Sequence, residues 1–361
     1  MTERYKVQRH ERLLKKMKEW ALPAIFISSA HNRRYISGFT GSSAYVYITA
    51  NRKVLMTDFR YMEQAAISCP DYEILDYMKL GLNETIKEIM KVDGIHSLGY
   101  ENHHLTVKAF DFHRNHLDHI EWIPLEDMME RLRMVKDQSE LDLIEYAASI
   151  GDAAYKHILE YIKVGMKEVE VALELEMFMK KKGASRLSFE TIVASGKRSS
   201  LPHAEPTTKV IEKGDFVTLD FGCVYEGYCS DMTRTLVMGD ANPDQTRLYN
   251  TVLKAQEMAL RAIKAGMTGK EVDLIARDYI YDQGYEGYFG HGLGHSLGLE
   301  VHENPRLSQQ GHMTLEEGMV VTIEPGIYIP DFGGVRIEDL VVVTAEGCKN
   351  FVHSDKTLII L

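Results

Sequence analysis

The sequence lacks the features that would place it outside the common class of soluble globular proteins. It has four cysteines in 361 residues and none in a CxxC spacing, which favours reduced thiols over a disulfide framework or a zinc ribbon. No run approaches the ~18–20 apolar residues of a membrane span, and the charged start "MTERYKVQRHERLLKKMKEW" lacks the apolar core of a secretory signal. The net charge of −11 disfavours nucleic acid or an anionic membrane as a partner. We therefore expect a cytoplasmic protein that binds neither nucleic acid nor membranes.

The length and patterning of the chain predict two domains. "ERLLKKMKEWAL" and "LNETIKEIMKVDG" have the spacing of amphipathic helices, the second ending at Gly94. "AIFIS", "AYVYITA" and "KVLMTD" are typical of strands, and the turn-rich "SGFTGSS" separates the first two. A capping-box-like "SELD" at Ser139 begins a further helix. We predict a small α/β domain over residues 1–128 and a larger α+β domain over residues 129–361.

The larger domain contains an internal repeat. "IKVGMKEVEVA" at 162 is similar to "IKAGMTGKEVDLIA" at 263, "PHAEP" at 202 to "VHENP" at 301, and "EKGDFVTLDFG" at 212 to "EEGMVVTIEPG" at 316. The three pairs keep their order at offsets of about one hundred residues, which chance does not explain. We predict two related halves, each running helix, helix, histidine segment and acid-bearing strand, packed about a pseudo-twofold axis.

The segment "TLDFGCVYEGYCSDMTRT" carries Asp220 and Asp231 on two apolar stretches joined by a tight turn. If residues 224–227 form a two-residue hairpin turn, the two aspartates are directly opposed, and like charges in that arrangement destabilise a sheet. A protonated pair, a hydrogen-bond network or a bound cation could offset the repulsion. A lone aspartate in a strand is more often a turn or edge feature, but the opposed pair makes that explanation less favoured.

The second half of the repeat predicts a matching pair of acids. Glu324 aligns with Asp220, and the midpoint of Glu324 and Glu338 falls at Asp331 in the turn sequence "PDFGG". The two halves would then bring four carboxylates together, and these cannot all stay ionised without cations. Because two divalent ions carry the balancing charge, we interpret the four acids as a site for two metal ions.

The repeat is broken at one informative position. "GHSLGLEVH" aligns with "SGKRSSLPH", which puts His295 opposite Gly196 and suggests a fifth ligand from one half alone. An imidazole with carboxylates favours Mn or Co, with Zn possible. Away from the acids, a hydrogen-bonded structural histidine would be the commoner explanation of His295. His203 and His302 hold matching places in the two halves; a structural role is open for both, but the neighbouring acid strands favour proton transfer or oxyanion stabilisation.

Together, "LDFG…SDMTRT", "HSLGLEVHE", "IEPGIY" and "VRIED" resemble the motifs of the metal-dependent "pita-bread" peptidases. The resemblance implies the pita-bread fold and two divalent metal ions, with Mn expected first. It implies that the metal ligands are Asp220, Asp231, His295, Glu324 and Glu338, of which Asp231 and Glu338 would bridge the ions. It also implies catalytic roles for His203 and His302, and places in or beside the substrate pocket for His291, Tyr328 and Arg336.

The first domain indicates a branch of that family. "NRRYISGFTGSSAYVYIT" and "TDFRYMEQA" resemble the N-terminal domain of the creatinase and prolidase branch, whereas methionine aminopeptidases lack such a domain. In this branch the small domain usually caps the cleft, often that of the partner subunit, so the resemblance implies a homodimer. Local packing is the simpler explanation of Arg60 and Tyr61, and neither is assigned to the site.

By this resemblance, the expected reaction is hydrolysis of the N-terminal Xaa-Pro bond by a metal-bridging hydroxide, with Glu324 accepting the proton and passing it on. We expect an Xaa-Pro aminopeptidase, because "FTGSS" and "TDFRY" favour it slightly over an Xaa-Pro dipeptidase, or prolidase. A metal-free creatinase-like hydrolase and a non-catalytic peptide-binding module share the fold. The complete set of five ligand positions argues against both.

Overall fold

The computed structural model describes residues 3–361, which form two compact units that divide between Arg133 and Met134. The first unit is a mixed helix and strand domain, as the sequence predicts. Its helices are α1 (Glu3–Glu19), α2 (Ala30–Ser37), α3 (Met62–Ser68), α4 (Leu82–Asp93), α5 (Val107–His116) and α6 (Met128–Met134). Its strands are β1 (Ala24–Ile27), β2 (Ala44–Thr49), β3 (Lys53–Thr57), β4 (Glu73–Asp76), β5 (Ser97–Tyr100) and β6 (Glu121–Pro124). They form one mixed sheet in the order β4-β3-β2-β1-β5-β6.

Local signals set the ends of two helices in this unit. Helix α4 ends at Gly94, whose left-handed φ of 65° suits a residue without a Cβ, and the predicted end is confirmed. Helix α2 begins after Ser29, whose side chain accepts from the backbone N–H of Asn32. The sequence analysis gave only a turn-rich connection between β1 and β2, so it missed α2. No helix within residues 3–361 is long and apolar enough to cross a membrane.

The second unit contains the predicted duplication of helix pair and hairpin. Its helices are α7 (Gln138–Tyr161), α8 (Glu168–Lys181), α9 (Pro243–Ala262) and α10 (Gly269–Ile280). The strands of its first half are β7 (Arg186–Leu187), β8 (Ile192–Ser195), β9 (Phe216–Phe221), β10 (Cys223–Tyr225), β11 (Tyr228–Cys229) and β12 (Met232–Val237). The strands of its second half are β13 (Gly294–Ser296), β14 (Glu303–Leu307), β15 (Val320–Ile323), β16 (Gly326–Ile329), β17 (Gly333–Arg336), β18 (Asp339–Val343) and β19 (Cys348–Asn350). The sheets that carry the acids run β12-β9-β8 and β14-β13-β15-β18-β19.

Helix α7 begins earlier than the sequence analysis expected. Its N-cap is Asp137, whose carboxylate accepts from the backbone N–H of Glu140, while the Glu140 carboxylate accepts from the N–H of Asp137. Ser139 lies inside this capping box and donates its hydroxyl to Asp137, so the predicted "SELD" box is wrong by two residues. A capping box also begins α10, since Thr268 caps the helix and pairs with Glu271.

The register of the first hairpin corrects the predicted pairing of Asp220 with Asp231. Asp220 lies opposite Thr233, and Tyr225 lies opposite Tyr228, so the two turn residues are 226 and 227. Both have a positive φ, 44° and 84°, which is the geometry of a tight two-residue hairpin turn. The predicted turn was placed one residue too early, and this shifts the pairing by two residues. Asp231 is therefore a diagonal neighbour of Asp220, and it keeps the same face.

The register of the second hairpin agrees with the prediction. Ile323 lies opposite Asp339 and Gly326 lies opposite Arg336, and both pairings place Glu324 opposite Glu338. The turn is centred on Asp331, which adopts a left-handed φ of 62°. The strands are interrupted at the two glutamates, since β15 ends at Ile323 and β18 begins at Asp339. Both glutamates therefore stand at a break in the ladder.

A buried ion pair joins the two hairpins beside the acids. The guanidinium of Arg234, which is fully buried, lies 2.8 Å from the Asp339 carboxylate and donates to the backbone carbonyls of Thr233 and Glu338. The backbone N–H of Glu338 in turn donates to the carbonyl of Thr233 at 3.0 Å. The backbone of Glu338 is thus held against β12 before its side chain makes any contact.

The apolar core of this unit lies behind the hairpins. Helices α9 and α10 pack their apolar faces on the strands and leave the acid-bearing ends free. The buried residues that make this contact include Leu248, Tyr249, Val252, Val272, Ala276, Val321, Ile323, Ile327, Val335 and Val341. The acids therefore project from a rigid, densely packed support.

We expect Gly222→Ala to destabilise the second unit. Gly222 lies between β9 and β10, where an added Cβ would overlap the carbonyl oxygen of Ser230. Forcing the strands apart at such a site costs about 1–3 kcal/mol, measurable as a lower urea midpoint. Gly347→Ala is the control, because a Cβ there meets open space, and its effect should stay within about 0.5 kcal/mol. Equal midpoints for the two variants would contradict the hairpin geometry.

Candidate metal centre

The predicted ligands lie in or directly beside five strands. Asp220 lies in β9 and Asp231 directly before β12, His295 lies in β13, Glu324 directly follows β15, and Glu338 directly precedes β18. All five line one cavity of about 570 Å³. Asp220, Asp231, His295 and Glu338 are buried. The structure thus brings together the residues that the sequence analysis selected, although Asp220 and Asp231 are not directly opposed.

Three of these side chains have the spacing of metal ligands. Donor atoms of Asp231, His295 and Glu338 all lie within 4.8 Å of one another. His295 Nε2 is 3.5 Å from Asp231 Oδ2 and 3.4 Å from Glu324 Oε1. Two ligand atoms that each lie about 2.0–2.2 Å from one ion are roughly 3.0–3.5 Å apart, so this spacing fits a shared cation.

The orientation of His295 also suits coordination. Its Nδ1–H donates to the carbonyl of Ser296 at 3.1 Å, which leaves the lone pair of Nε2 facing the acids. Burial is the largest cause that lowers the pKa of His295 to about 3, and the neighbouring His302 is the second. The ring is therefore neutral, and its contacts with Asp231 and Glu324 are not ion pairs. A neutral imidazole is the form that binds metal ions.

The acids are electrostatically unfavourable without a cation among them. The pKa of Asp231 is raised well above its ordinary range, mainly by burial and to a smaller extent by repulsion from Glu338 and Asp220. Burial, followed by repulsion from Glu324 and Asp220, does the same to the pKa of Glu338. Burial raises the pKa of Glu324 to about 7. Such a cluster either takes up protons or binds cations.

One oxygen of Asp220 points to the same conclusion. Its Oδ1 is buried and has no hydrogen-bond partner within residues 3–361. A buried carboxylate oxygen without a partner is costly, and native structures rarely keep one. Four carboxylates and one imidazole, with this oxygen free to coordinate, fit a pair of divalent ions.

A guanidinium faces the cluster from the second hairpin. Arg336 donates to Asp220 Oδ2 at 2.6 Å, to the Tyr328 hydroxyl at 2.8 Å and to Thr233 Oγ1 at 3.1 Å. Tyr328 donates its hydroxyl to His291 Nε2 at 2.8 Å, because His291 Nδ1–H is committed to the Gly292 carbonyl. The three predicted pocket residues, His291, Tyr328 and Arg336, are therefore joined by hydrogen bonds in a series that ends at the Asp220 carboxylate.

Burial determines which of these three side chains carry a charge. Burial, followed by the positive charge of Arg336, lowers the pKa of His291 to about 4. His291 is therefore a neutral acceptor, and Arg336 is the cation that faces Asp220. A single guanidinium charge balances one of the four carboxylates and leaves three for other cations.

The two remaining predicted histidines line the same cavity. His302 packs its ring edge-on against His295, with the ring centroids 4.6 Å apart at 80°. Burial, followed by the charge of Arg306, lowers the pKa of His302. His203 lines the wall of the cavity and also a smaller adjoining chamber of about 370 Å³. Both histidines are within the site and outside the set of contacts that joins the acids.

The sequence analysis missed several residues that the structure adds. Thr322 Oγ1 donates to Glu324 at 3.0 Å and accepts from the backbone N–H of His295, so it links two predicted ligands. Thr233 Oγ1 donates to Glu338 at 2.7 Å. Arg306 lines the cavity and lies opposite His295 in the β13–β14 ladder. The signal for Arg306 is its place across the hairpin from His295, which requires the register to be known first.

Comparison with known proteins assigns the chain to a family. Residues 142–345 match metallopeptidase family M24, and residues 9–135 match the creatinase/prolidase N-terminal domain. The solved structure of an Xaa-Pro dipeptidase from Bacillus anthracis is 47% identical, with a TM-score of 0.95 over 99% of this chain and 100% of that one. An Xaa-Pro dipeptidase from Pyrococcus furiosus is 40% identical over 98% of this chain and 99% of its own length. The solved structure of an X-Pro aminopeptidase from Thermotoga maritima is 36% identical, with a TM-score of 0.92 over 98% of this chain and 100% of that one.

The chain therefore belongs to metallopeptidase family M24, in its creatinase/prolidase branch. The predicted pita-bread fold with a creatinase-type N-terminal domain is confirmed. So is the prediction of a metal-dependent peptidase.

We expect Arg336→Met to destabilise the metal-free protein. Removing the guanidinium leaves the Asp220 carboxylate buried without its cation, a change that costs about 3–5 kcal/mol in other proteins. Arg336→Lys is the matched variant, since it keeps the charge but cannot make the three separate contacts, and its loss should be smaller. The measurement is urea unfolding after chelator treatment. Full stability of the methionine variant would contradict the charge assignment.

Proposed function

We propose that the chain is an Xaa-Pro dipeptidase, which hydrolyses the bond between the first residue and proline in a dipeptide. The sequence analysis preferred an aminopeptidase on two short N-terminal motifs, and the proposal reverses that preference. Relatives named Xaa-Pro dipeptidase at 40% and 47% identity support the choice, although an X-Pro aminopeptidase at 36% is also similar. The observation that carries the proposal is the guanidinium of Arg306 in the cavity.

Arg306 distinguishes the two substrates by charge. Its side chain lines the cavity, and within the described part of the chain its guanidinium forms no hydrogen bond or ion pair with another residue. An Xaa-Pro dipeptide carries its terminal carboxylate on the proline itself, one residue from the scissile bond, whereas a longer peptide has a neutral amide there. A guanidinium at this place pairs with the carboxylate and has no matching charge on the amide. Arg306 is therefore our candidate for the residue that selects dipeptides.

We assign the five clustered side chains as ligands of two divalent ions. The residues that would hold these ions are Asp220, Asp231, His295, Glu324 and Glu338. Ions bound there would act as Lewis acids and lower the pKa of a water molecule toward neutrality. Oxygen donors with one imidazole suit Mn, and Co or Zn are alternatives.

The chain's own residues supply the proton transfers and the binding contacts. The Thr322 hydroxyl orients Glu324, and we assign to Glu324 the acceptance of the proton from the attacking water and its delivery to the proline nitrogen. His302 and His203 line the cavity and can donate to the substrate's carbonyl oxygen as negative charge develops on it. The chain of Arg336, Tyr328 and His291 holds Asp220 in place while this happens.

The assembly and location are also part of the proposal. The resemblance of the first unit to the creatinase/prolidase N-terminal domain supports a homodimer. The four cysteines, which are free thiols with no CxxC spacing, support the cytoplasm.

The substrate assignment is tested by three matched substrates. They are an Xaa-Pro dipeptide, its C-terminal amide, and a tripeptide with proline second. With Mn²⁺ supplied, we expect the dipeptide to have the highest kcat/KM. In Arg306→Met the preference for the free acid over the amide should fall about 10–100-fold, mainly through KM, because a charged hydrogen bond is lost.

Arg261→Met is the control for this test, since Arg261 is exposed and pairs with Glu257 on the surface of α9. Its substrate preference should be unchanged. Comparable rates on the tripeptide and the dipeptide would identify an aminopeptidase instead. If Arg306→Met kept the parent's ratio of kcat/KM for the free acid to kcat/KM for the amide, Arg306 would not be the residue that selects dipeptides.

The ligand assignment predicts opposite effects of Asp231→Asn with and without metal. Asparagine keeps the shape of the carboxyl group and cannot be ionised beside the other acids, so the metal-free variant should unfold at the same temperature as the parent or higher. With Mn²⁺ at 100 times the dissociation constant, the parent should gain about 2.7 kcal/mol and the variant almost none. Thermal unfolding with and without chelator measures both effects.

Asp240→Asn is the control, because Asp240 is exposed and pairs with Lys213 at the surface. It should keep the full stabilisation by Mn²⁺. An Asp231→Asn protein that is stabilised by Mn²⁺ as strongly as the parent would refute the assignment.

A further inference from the structure

A buried lysine lies behind the histidine segment of the site. Lys136 precedes helix α7, and its side chain is 1% exposed. Its Nζ lies 3.0 Å from Glu303 Oε2, whose side chain is 8% exposed, and 3.5 Å from Ser296 Oγ. Burying an ammonium and a carboxylate is costly unless they pair. The described activity makes no use of either group.

The place of this ion pair in the sheet is informative. Ser296 and Glu303 face each other in the β13–β14 ladder, and the register shifts between His295 and Ser296. Such a bulge re-aims the side chains beside it. Lys136 spans the cross-strand pair next to the bulge, so it contacts the residue that follows His295 and the residue that follows His302.

Both partners of the ion pair are fixed from behind. The backbone N–H of Lys136 donates to the carbonyl of Gly318 at 3.0 Å, directly before β15. Glu303 Oε1 accepts from the backbone N–H of Glu300 at 3.2 Å, which closes the turn between the two strands. The carbonyl of Gly298 in that turn accepts from the backbone N–H of Cys229 at 2.8 Å. The pair therefore holds the turn between His295 and His302 against β15 on one side and the first hairpin on the other.

We propose that Lys136 is a positioning residue, whose ion pair with Glu303 holds the β13–β14 bulge so that His295 faces the acids and His302 stays against it. The proposal rests on the proposed function and goes further, because it names a residue outside the cavity that controls metal affinity and turnover together. The edge-on contact of the two rings, 4.6 Å between centroids, is the geometry that the pair maintains.

Stability alone does not explain a charge at this position. Two apolar side chains of similar size commonly stabilise a buried site as well as an ion pair does. What the charges add is direction, since the ammonium lies within hydrogen-bond distance of both Glu303 Oε2 and Ser296 Oγ. Replacing both charges by apolar groups therefore separates the two roles: stability should return, and positioning should not.

The experiment compares Lys136→Met with the double variant Lys136→Met, Glu303→Leu. Three quantities are measured on each folded protein: the affinity for Co²⁺ alone by chelator competition, the visible spectrum of bound Co²⁺, and kcat and KM on an Xaa-Pro dipeptide. For Lys136→Met we expect Co²⁺ affinity to fall about 10–100-fold, as for other residues that orient a metal ligand, with an altered spectrum and a lower kcat. The double variant should regain the parent's urea midpoint in the metal-free state and keep the weakened Co²⁺ binding.

Lys213→Met is the control, because it makes the same substitution in an exposed pair with Asp240. All of its values should match the parent. If Lys136→Met does not fold, Glu303→Gln decides, since it removes the charge with little change of shape. We expect about 10-fold weaker Co²⁺ binding in that variant.

Two results would overturn the proposal. One is parental Co²⁺ affinity and spectrum in a folded Lys136→Met or Glu303→Gln protein. The other is recovery of Co²⁺ affinity together with stability in the double variant, which would reduce the pair to charge neutralisation. If no variant or parent cleaves the dipeptide while Co²⁺ affinity changes as expected, the substrate assignment fails and the role of Lys136 stands.

Discussion

The repulsion among four buried carboxylates is the constraint on which the rest of the catalytic unit depends. Asp220, Asp231, Glu324 and Glu338 line one cavity, and the guanidinium of Arg336 balances one charge. Burial raises the free energy of the three carboxylates that Arg336 does not balance, so the site requires cations to keep them ionised. The surrounding structure holds these acids together against their repulsion. Arg234 fixes the backbone of Glu338, and the packed faces of α9 and α10 keep the hairpins from separating. In the metal-free protein, the clustered acids therefore lower the stability of the fold. In the metal-bound protein, the ions that these acids bind raise it.

Much of the fold could be predicted because repeated segments and turn sequences indicate it. The internal repeat gave the order of elements, and the turn at "PDFGG" gave the pairing of Glu324 with Glu338, which the register confirms. The first hairpin was predicted with its turn one residue early, since 225–226 was chosen where 226 and 227 take positive φ. The resulting error is two residues, an even number, so Asp231 keeps the face of Asp220 and still reaches the site. Helix α2 was missed because the turn-rich sequence beside it dominated the interpretation.

The four acids could be selected from the sequence because each lies on or beside a strand of the internal repeat, and His295 could be selected because the repeat is broken there. Arg306 and Lys136 could not be selected in that way. Arg306 reaches the site through the ladder with β13, and Lys136 reaches Glu303 across more than one hundred and sixty residues of chain. Long-range side-chain contacts of this kind leave no local pattern. The choice between aminopeptidase and dipeptidase depends on such a contact, which is why two short N-terminal motifs were a weak basis for it. A charge in the cavity is the better criterion, because the two substrates differ by a charge at that place.

The most direct measurement is a crystal structure of the protein grown with Mn²⁺, with anomalous data collected on both sides of the manganese absorption edge. The account predicts two anomalous peaks about 3.5–4 Å apart inside the cavity. Oxygens of Asp231 and Glu338 should lie between the peaks, and Asp220, Glu324 and His295 should each contact one of them. Anomalous peaks only outside the cavity, with the four carboxylates joined to one another by protons, to Arg336 or to water, would contradict it.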